Sequence, residues 1–277
     1  MPLEVLSLSK DEVGLRSTIS SIMSKRDYFD QQYQNATENI IPFIDAIFPI
    51  SDQHTVLDIG CGVGGVLSSF LQIGNTVTGI DISEYKISLS KEHIDHEFQK
   101  KLTLIKQDMS EKPLKTKEKY DLIVLKDVVE HIENKSVFFE HIHSLLNQNG
   151  IVFMSFPPWH MPFGGHQQSC KSFILSHTPY LHLLPIQIYK YLLNLFKEND
   201  GKQSWLIQTR KTGLSIESFE NLIQRNKFKI VKRQLYLINP IYKYRFNMPT
   251  IKLPGFLNIP YIRNFYTTCG YYLIEKL

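Results

Sequence analysis

The sequence has few cysteines and no long apolar run, and both absences limit what the protein can be. Its 277 residues include only three cysteines, which are far apart and lack the close spacing of a metal site; they are Cys61, Cys170 and Cys269. No run of about 18 apolar residues predicts a membrane-spanning helix, and residues 1–25 lack the apolar centre of a secretory signal. We therefore expect a cytoplasmic protein in a reducing setting, with no bound metal.

Acidic residues are also missing from a long C-terminal stretch. Between Asn221 and Ile274 there is no Asp or Glu, although Lys and Arg occur throughout it. The stretch is consistent with a solvated basic face, with recognition of an anionic substrate or carrier, or with docking on an anionic membrane surface. Because no recognised nucleic-acid-binding module accompanies these charges, nucleic acid is not an expected partner.

A glycine-rich turn is the most distinctive local pattern in the chain. The stretch 56–65 reads VLDIGCGVGG and joins a short apolar run to a helix-like run. Glycine accepts positive φ and lets a ligand approach the backbone, and the free N–H groups of a following helix favour a nucleotide or a carboxylate. Gly60, Gly62 and Gly65 also match the dinucleotide fingerprint, with Asp81 at the distance of a ribose-binding acid, so a nicotinamide-dependent oxidoreductase is one interpretation.

Strand-like and helix-like runs alternate along the chain. The predicted strands are 55–59, 76–80, 102–106, 121–126, 150–156, 228–238 and 269–275, and the predicted helices are 40–48, 64–73, 84–97, 136–147, 180–196 and 215–226. This alternation predicts an α/β fold of the Rossmann-like, doubly wound type with a mainly parallel sheet. Asp58, Asp81, Asp108 and Lys126 fall at the C-terminal ends of strands, so we expect them to converge on one crevice.

The acids and glycines taken together resemble a known family. Asp58 precedes the glycine turn, Asp81 ends the second strand, Asp108 and Met109 follow the third, and the fourth continues into KDVVEHI at 126–132. In this combination residues 31–157, and more loosely about the last sixty residues, resemble the class I S-adenosylmethionine-dependent methyltransferases, in particular the bacterial small-molecule group. The resemblance implies S-adenosyl-L-methionine as the cofactor and a seven-stranded sheet whose final strand is antiparallel.

The resemblance also implies roles for individual residues. Asp81 would accept hydrogen bonds from the ribose hydroxyls, and Asp58 with the glycine turn would hold the amino-acid end. The predicted cofactor-binding residues are Tyr33, Asp58, Gly60, Cys61, Gly62, Gly64, Asp81, Ile82, Asp108, Met109 and Lys126. Of these, Asp108 and Met109 would meet the adenine. Turn, surface or packing roles are the alternatives for several of these positions.

The chain is longer than this fold requires, and the excess lies in two insertions. We predict an N-terminal helical cap at 1–50, a cofactor-binding core at 51–157, a lid insertion at 158–213 and a C-terminal part of the core at 214–277. A second insertion, 239–267, separates the last two strands. Loops of this length in a compact domain usually carry binding elements.

Candidates for catalysis and substrate binding lie mainly in these insertions. His166 is the leading candidate for a general base, followed by His160 and His131, and each is also consistent with a structural or surface role. The predicted substrate contacts are Tyr28, Trp159, His166, Lys243 and Arg245. A metal site at His160 and His166 is not expected, because no acidic or cysteine partner clusters there.

These features predict an S-adenosylmethionine-dependent methyltransferase that modifies a small or amphipathic molecule, with oxygen as the expected acceptor atom. A lipid- or glycan-linked acceptor and an anionic one both fit the composition, and either agrees with peripheral contact at a membrane. Two other hypotheses stay open. They are a nicotinamide-dependent Rossmann oxidoreductase and a non-catalytic cofactor-binding module that acts through a partner. The oligomeric state does not follow from the sequence.

Overall fold

The computed structural model of the protein describes residues 25–277, so residues 1–24 of the predicted N-terminal cap lie outside the described residues. One sheet organises this part of the chain. Its strands are β1 (Thr55–Ile59), β2 (Thr76–Asp81), β3 (Leu102–Lys106), β4 (Tyr120–Lys126), β5 (Leu146–Phe156), β6 (Phe228–Ile238), β7 (Ile251–Lys252) and β8 (Cys269–Lys276). They lie side by side in the order β3, β2, β1, β4, β5, β8, β6, β7.

Strands β1 to β5 are parallel, and β8 inserts antiparallel between β5 and β6. This arrangement confirms the predicted mainly parallel sheet with an antiparallel final strand. The structure adds an eighth strand, β7, which lies within the second insertion and pairs with the end of β6. A two-residue strand has no alternation of apolar and polar residues, so the sequence pattern gives no sign of it.

The helices cover both faces of the sheet. They are α1 (Lys25–Asn35), α2 (Ile41–Asp45), α3 (Gly65–Ile73), α4 (Glu84–His93), α5 (Lys135–Leu145), α6 (Phe173–His177), α7 (Ile186–Leu195), α8 (Asp200–Thr212), α9 (Ile216–Arg225) and α10 (Ile241–Phe246). Several begin at a Ser or Asn whose side chain accepts a backbone N–H of the first turn, as Ser83 does for α4 and Ser215 for α9. These caps satisfy donors that have no partner within the helix.

Three predicted helices are shorter in the structure. The run predicted at 84–97 contains α4, which ends at His93 and is followed by a 3-10 turn at His96–Lys101. The run predicted at 40–48 contains only α2, which follows a π-helical turn at Ala36–Ile40 and ends at Asp45. The run predicted at 180–196 is divided into a 3-10 turn at Leu181–Leu183 and α7. Pro185 separates these two pieces, because proline has no N–H to donate and cannot continue a helix that precedes it.

The apolar core forms two layers, one on each face of the sheet. Leu57 and Ile59 of β1 belong to the layer that α5 and α9 cover, whereas Val56 belongs to the layer under α1, α2 and α3. Alternate residues of a strand point to opposite faces, so a strand buried on both faces reads as a continuous apolar run. Within residues 25–277, no helix is both long and apolar enough to cross a bilayer.

Both insertions are tied to the core near the C-terminal edge of the parallel strands. In the first, the side-chain amide of Gln208 donates to Glu133 at 2.7 Å, and the Lys135 ammonium donates to the Thr212 carbonyl at 2.7 Å. These contacts hold α8 against the segment that follows β4. In the second, Lys243 forms an ion pair with Glu38 at 2.6 Å, which holds α10 against the N-terminal cap.

Candidate active site

The glycine turn after β1 is held by backbone hydrogen bonds to the end of β2. The N–H groups of Gly60 and Cys61 both donate to the Ile80 carbonyl, at 2.7 and 3.0 Å. Gly60, Gly62 and Gly64 all have positive φ, so the turn needs glycine at these positions. The turn therefore brings the start of α3 beside the C-terminal ends of β1 and β2.

Asp58 lies beneath this turn and is fully buried in β1. Its Oδ2 atom has no hydrogen-bond partner among the described residues. Burial raises the pKa of the Asp58 carboxyl to about 7; the nearby Asp81 carboxylate adds to the shift and Lys126 opposes it. A buried carboxylate without a partner is costly. Asp58 is therefore prepared to accept a hydrogen bond from a cationic ligand group that enters the crevice.

Asp81 lies at the end of β2 and is already oriented by the backbone. Its Oδ2 accepts from the Gly62 N–H at 3.0 Å, and its Oδ1 accepts from the Ser83 N–H at 2.9 Å. An ionised carboxylate has about four acceptor sites, so capacity remains for two ligand hydroxyls. The next residue, Ile82, is 64% exposed and presents an apolar surface beside the acid.

Two glycines of the turn serve different purposes. A Cβ at Gly62 would have no atom closer than the Gly60 carbonyl oxygen at 4.0 Å, so this face of the turn is open. A Cβ at Gly65 would lie 2.4 Å from the Phe29 carbonyl oxygen and 2.9 Å from the Tyr33 nitrogen. Gly65 thus allows α1 to cross the start of α3, and this crossing brings Tyr33 close to the turn.

The third strand end is organised by a local turn. Asp108 Oδ1 accepts from the backbone N–H and the hydroxyl of Ser110, at 2.8 and 2.6 Å. Met109 is buried in the layer under α5 and α9, and its carbonyl contacts the His141 ring at 3.0 Å. Packing in the core therefore accounts for the Met109 side chain, whereas Asp108 keeps one carboxylate oxygen without a protein hydrogen bond in the described part of the chain.

The end of β4 carries an ion pair of which the sequence predicted only one member as a site residue. Lys126 is largely buried and pairs with Asp127, which was not among the predicted site residues. Asp127 has a φ of 57° and accepts a hydrogen bond from the Ser155 hydroxyl at 3.3 Å. Positive φ is uncommon outside glycine and is often found at functional sites. The only sequence signal for Asp127 was its position next to Lys126 at a strand end.

A row of rings extends from the segment after β4 into the first insertion. The His131 and His166 rings stack with their centroids 5.1 Å apart, and the Trp205 ring follows at 5.6 Å from His166. His166 Nε2 is buried and has no hydrogen-bond partner in the described chain. Burial lowers the pKa of His166 to about 4, and His131 adds to the shift while Asp127 opposes it. At neutral pH the His166 imidazole is therefore uncharged, so one ring nitrogen is unprotonated and can accept a hydrogen bond.

Other predicted residues lie away from this row. His160 contacts the Phe265 ring of the second insertion at 5.4 Å. Trp159 packs against Gly213, and its carbonyl contacts the His182 ring at 2.7 Å. These contacts give both side chains a packing function.

The cap and the second insertion bring the remaining substrate candidates together. The Arg245 guanidinium lies 5.9 Å from the centre of the Tyr28 ring. Lys243 is occupied by its ion pair with Glu38, which also accepts from the Tyr244 hydroxyl at 2.8 Å. Lys243 therefore fastens α10 to the cap, whereas Arg245 lies beside Tyr28 and has no ion-pair partner among residues 25–277.

Known proteins similar to this chain match part of it. A family described as "Methyltransferase domain" matches residues 29–232. The ubiquinone biosynthesis O-methyltransferase of Pelagibacter ubique is 38% identical over 101 residues, which cover 36% of this chain and 40% of that protein. The protein of the same name from Bradyrhizobium diazoefficiens is 30% identical over 100 residues, which cover 36% and 38% of the two chains. The aligned regions thus span less than half of these relatives.

Solved structures share the fold over nearly the whole chain. Magnesium protoporphyrin IX methyltransferase from Synechocystis PCC 6803, with bound SAH, has a TM-score of 0.55 and 16% identity, and the match covers 97% of this chain and 95% of that one. The plantazolicin methyltransferase in complex with a substrate analogue and SAH has a TM-score of 0.53 and 12% identity, over 97% and 92% of the chains. Because the family match extends over most of the chain, the protein belongs to the methyltransferase domain family, as its resemblance to the class I enzymes predicted.

Proposed function

We propose that the protein is an S-adenosylmethionine-dependent methyltransferase that acts on oxygen of a small or amphipathic acceptor. The observation that carries the proposal is the buried Asp58 carboxylate beneath an open glycine turn, whose Oδ2 has no hydrogen-bond partner among residues 25–277. Family membership favours this function over a nicotinamide-dependent oxidoreductase, and no observation favours a non-catalytic module.

The residues of the crevice fit the chemical parts of this cofactor. Asp58 Oδ2 would accept from the amino group of its amino-acid end, and the oriented carboxylate of Asp81 would accept from the ribose hydroxyls. The exposed side chain of Ile82 would cover one face of the adenine. The open face at Gly62 leaves room for the ligand to approach the backbone.

The chain's own residues would then position the acceptor and receive its proton. When bound, S-adenosylmethionine supplies a methyl group on a cationic sulfonium that is already activated for displacement, so alignment is the protein's main contribution. The neutral His166 would accept the hydroxyl proton of the acceptor at Nε2. The ion pair with Lys126 would keep Asp127 in place at the end of β4.

The nature of the acceptor is proposed from the relatives and from the charges. The relatives from Pelagibacter ubique and Bradyrhizobium diazoefficiens are named as O-methyltransferases, which supports oxygen as the acceptor atom. The guanidinium of Arg245, which has no ion-pair partner within the described part of the chain, suits an anionic group on the acceptor, such as the phosphate of a lipid- or glycan-linked molecule. Such an acceptor implies that the enzyme is cytoplasmic and makes peripheral contact with a membrane.

Cofactor affinity is expected to rise with pH because of Asp58. If only the ionised carboxylate binds the amino group, a pKa of about 7 means that S-adenosylmethionine binds roughly 100-fold more weakly at pH 5 than at its plateau. Calorimetric titration from pH 5 to 8 measures this slope, and NAD is expected to bind weakly at every pH. Tighter binding of NAD than of S-adenosylmethionine would contradict the proposed function.

The matched control for this experiment is Asp58→Asn. This variant keeps the shape of the side chain but has no proton to lose, so the pH slope should flatten and the plateau affinity should fall. The raised pKa also means that the cofactor-free protein loses stability as the pH rises from 3.8 to about 7, because Asp58 ionises earlier in the unfolded chain. An unchanged slope in Asp58→Asn would show that another group controls binding.

Arg245 and Lys243 are expected to differ, although both are exposed cations on α10. Arg245→Gln should raise the KM of an anionic acceptor by about fivefold, the size of an exposed ion pair, and high salt should reduce the effect. Lys243→Gln should leave this KM nearly unchanged, because Lys243 pairs with Glu38. The comparison uses a carboxylate acceptor and its neutral ester. An equal effect of both substitutions would argue against an anion site at Arg245.

A further inference from the structure

Exposed apolar side chains are concentrated in the two insertions. Within the described part of the chain, the large apolar side chains that are exposed lie at 158–213 or 239–267, with the exceptions of Ile47, Ile82 and Leu277. Ile82 belongs to the cofactor crevice and Leu277 is the last residue of the sequence. Scattered exposed apolar residues need no explanation, but a concentration in one region indicates a surface that binds something.

The first insertion presents an apolar outer side on its own small core. On α7, Tyr189 and Leu193 are buried in a cluster shared with α6 and α8, whereas the positions Ile188, Tyr191 and Leu195 are exposed. The three exposed residues are three and four positions apart, so they form one stripe along the helix. On the short α6, Phe173 is 74% exposed. This insertion therefore has a complete internal core and a second, uncovered set of apolar residues.

The second insertion adds to this outer surface and is joined to the first. The Tyr180 hydroxyl of the first insertion donates to the Phe265 carbonyl of the second at 3.0 Å. Near this contact the second insertion exposes Phe265, Tyr261 and Ile262, and farther along it Phe256 is 80% exposed. Tyrosine, phenylalanine and isoleucine of this kind are typical of segments that lie at a membrane interface.

Most charges of the two insertions are positive, and the acids of the first insertion are confined to Glu198 and Asp200. No Asp or Glu occurs at 158–197 or at 239–267. Exposed lysines are interspersed among the apolar residues; they are Lys171, Lys190, Lys197 and Lys252. Anionic lipid headgroups attract such lysines within about a Debye length of the membrane surface. The absence of acids from 158–197 and 239–267 favours an anionic lipid surface over a neutral protein partner, because binding to a neutral partner does not depend on the sign of the charges.

We propose that the outer sides of the two insertions form a docking surface for an anionic lipid bilayer. The exposed aromatic and aliphatic side chains enter the headgroup region, and the interspersed lysines contact the lipid phosphates. The proposal deepens the function proposed above, because a surface of this kind would bring the acceptor site to a membrane-bound acceptor. Vesicle binding and cofactor binding are measured separately, so either proposal can fail alone.

The test is sedimentation of the full chain with vesicles of phosphatidylcholine alone or with about one third phosphatidylglycerol. The chain is expected to bind the anionic vesicles at least about tenfold more strongly, and high salt should weaken this preference. The variant Phe173→Ser/Tyr191→Ser/Phe256→Ser should lose at least about tenfold in binding. Ile47→Ser is the matched control, because Ile47 is 47% exposed but lies outside the insertions, and it should bind like the unchanged protein.

A second pair of variants keeps the test decisive if the triple variant folds poorly. Lys190→Glu and Lys197→Glu change only exposed lysines, and each should weaken binding to anionic vesicles while cofactor affinity stays the same. Absence of vesicle binding by the unchanged protein would overturn the proposal. Light scattering without lipid tests the alternative that a second copy of the chain occupies this surface. A dimer that the triple substitution converts to a monomer, without any vesicle binding, would assign the surface to a second copy of the chain instead.

Discussion

Replacement of Asp81 by alanine is expected to weaken S-adenosylmethionine binding by roughly 10²–10⁴-fold. The Asp81 carboxylate is held in place by the N–H groups of Gly62 and Ser83, so it would bind both ribose hydroxyls without reorganisation. Hydrogen bonds to a charged group contribute about 1.5–3 kcal/mol each, and two of them account for the expected loss. Calorimetry measures the affinity, and the melting temperature shows whether the fold survives the loss of two backbone hydrogen bonds.

Two further variants separate the charge of Asp81 from the shape of the turn. Asp81→Asn keeps the side-chain shape and should give an intermediate affinity. Gly62→Ala should also weaken cofactor binding, because its methyl group would enter the open face of the turn, although a φ of 58° adds backbone strain. Unchanged affinity in both Asp81→Ala and Gly62→Ala would place the cofactor elsewhere.

Replacement of His166 by alanine is expected to lower turnover by roughly 10²-fold while cofactor affinity stays unchanged. The His166 ring stacks on His131, and its Nε2 has no hydrogen-bond partner among the residues that the structure describes. The ring is uncharged at neutral pH because burial lowers the pKa to about 4. The variant would lack the atom that receives the acceptor proton. Turnover is measured as release of S-adenosylhomocysteine, with an acceptor chosen from a panel of phenols, hydroxy acids and phosphorylated alcohols.

The control for this prediction is His160→Ala, in the same insertion. His160 contacts Phe265 rather than the row of rings, so its removal should leave turnover nearly intact. His166→Gln keeps a polar side chain and should retain part of the activity if positioning of the hydroxyl matters more than proton transfer. Full activity of His166→Ala would return His166 to a structural role beside His131.

The sequence could not predict which of two residues of the same type faces the site when their contacts come from distant segments of the chain. The sequence predicts a substrate contact for Trp159; in the structure Trp159 packs on Gly213, and Trp205 continues the row from His166. Lys243 pairs with Glu38, which lies 205 positions away in the chain. Ring packing and ion pairing of this kind depend on how the insertions pack against the core and the N-terminal cap. Neither the periodicity nor the spacing of residues in the sequence predicts these contacts.

The sequence alone determined the positions of the parallel strands and the convergence of their acids. Buried strands are continuous apolar runs, and right-handed crossovers place all their C-terminal ends at one edge, so the positions of Asp58, Asp81 and Asp108 in the chain suffice to assign them to one crevice. Only the tertiary structure separated Gly62, whose open face admits a ligand, from Gly65, whose missing Cβ lets α1 cross α3. The physical reason is that a glycine in the sequence marks a position without a side chain, whereas the fold decides whether protein atoms or open space lie next to that position.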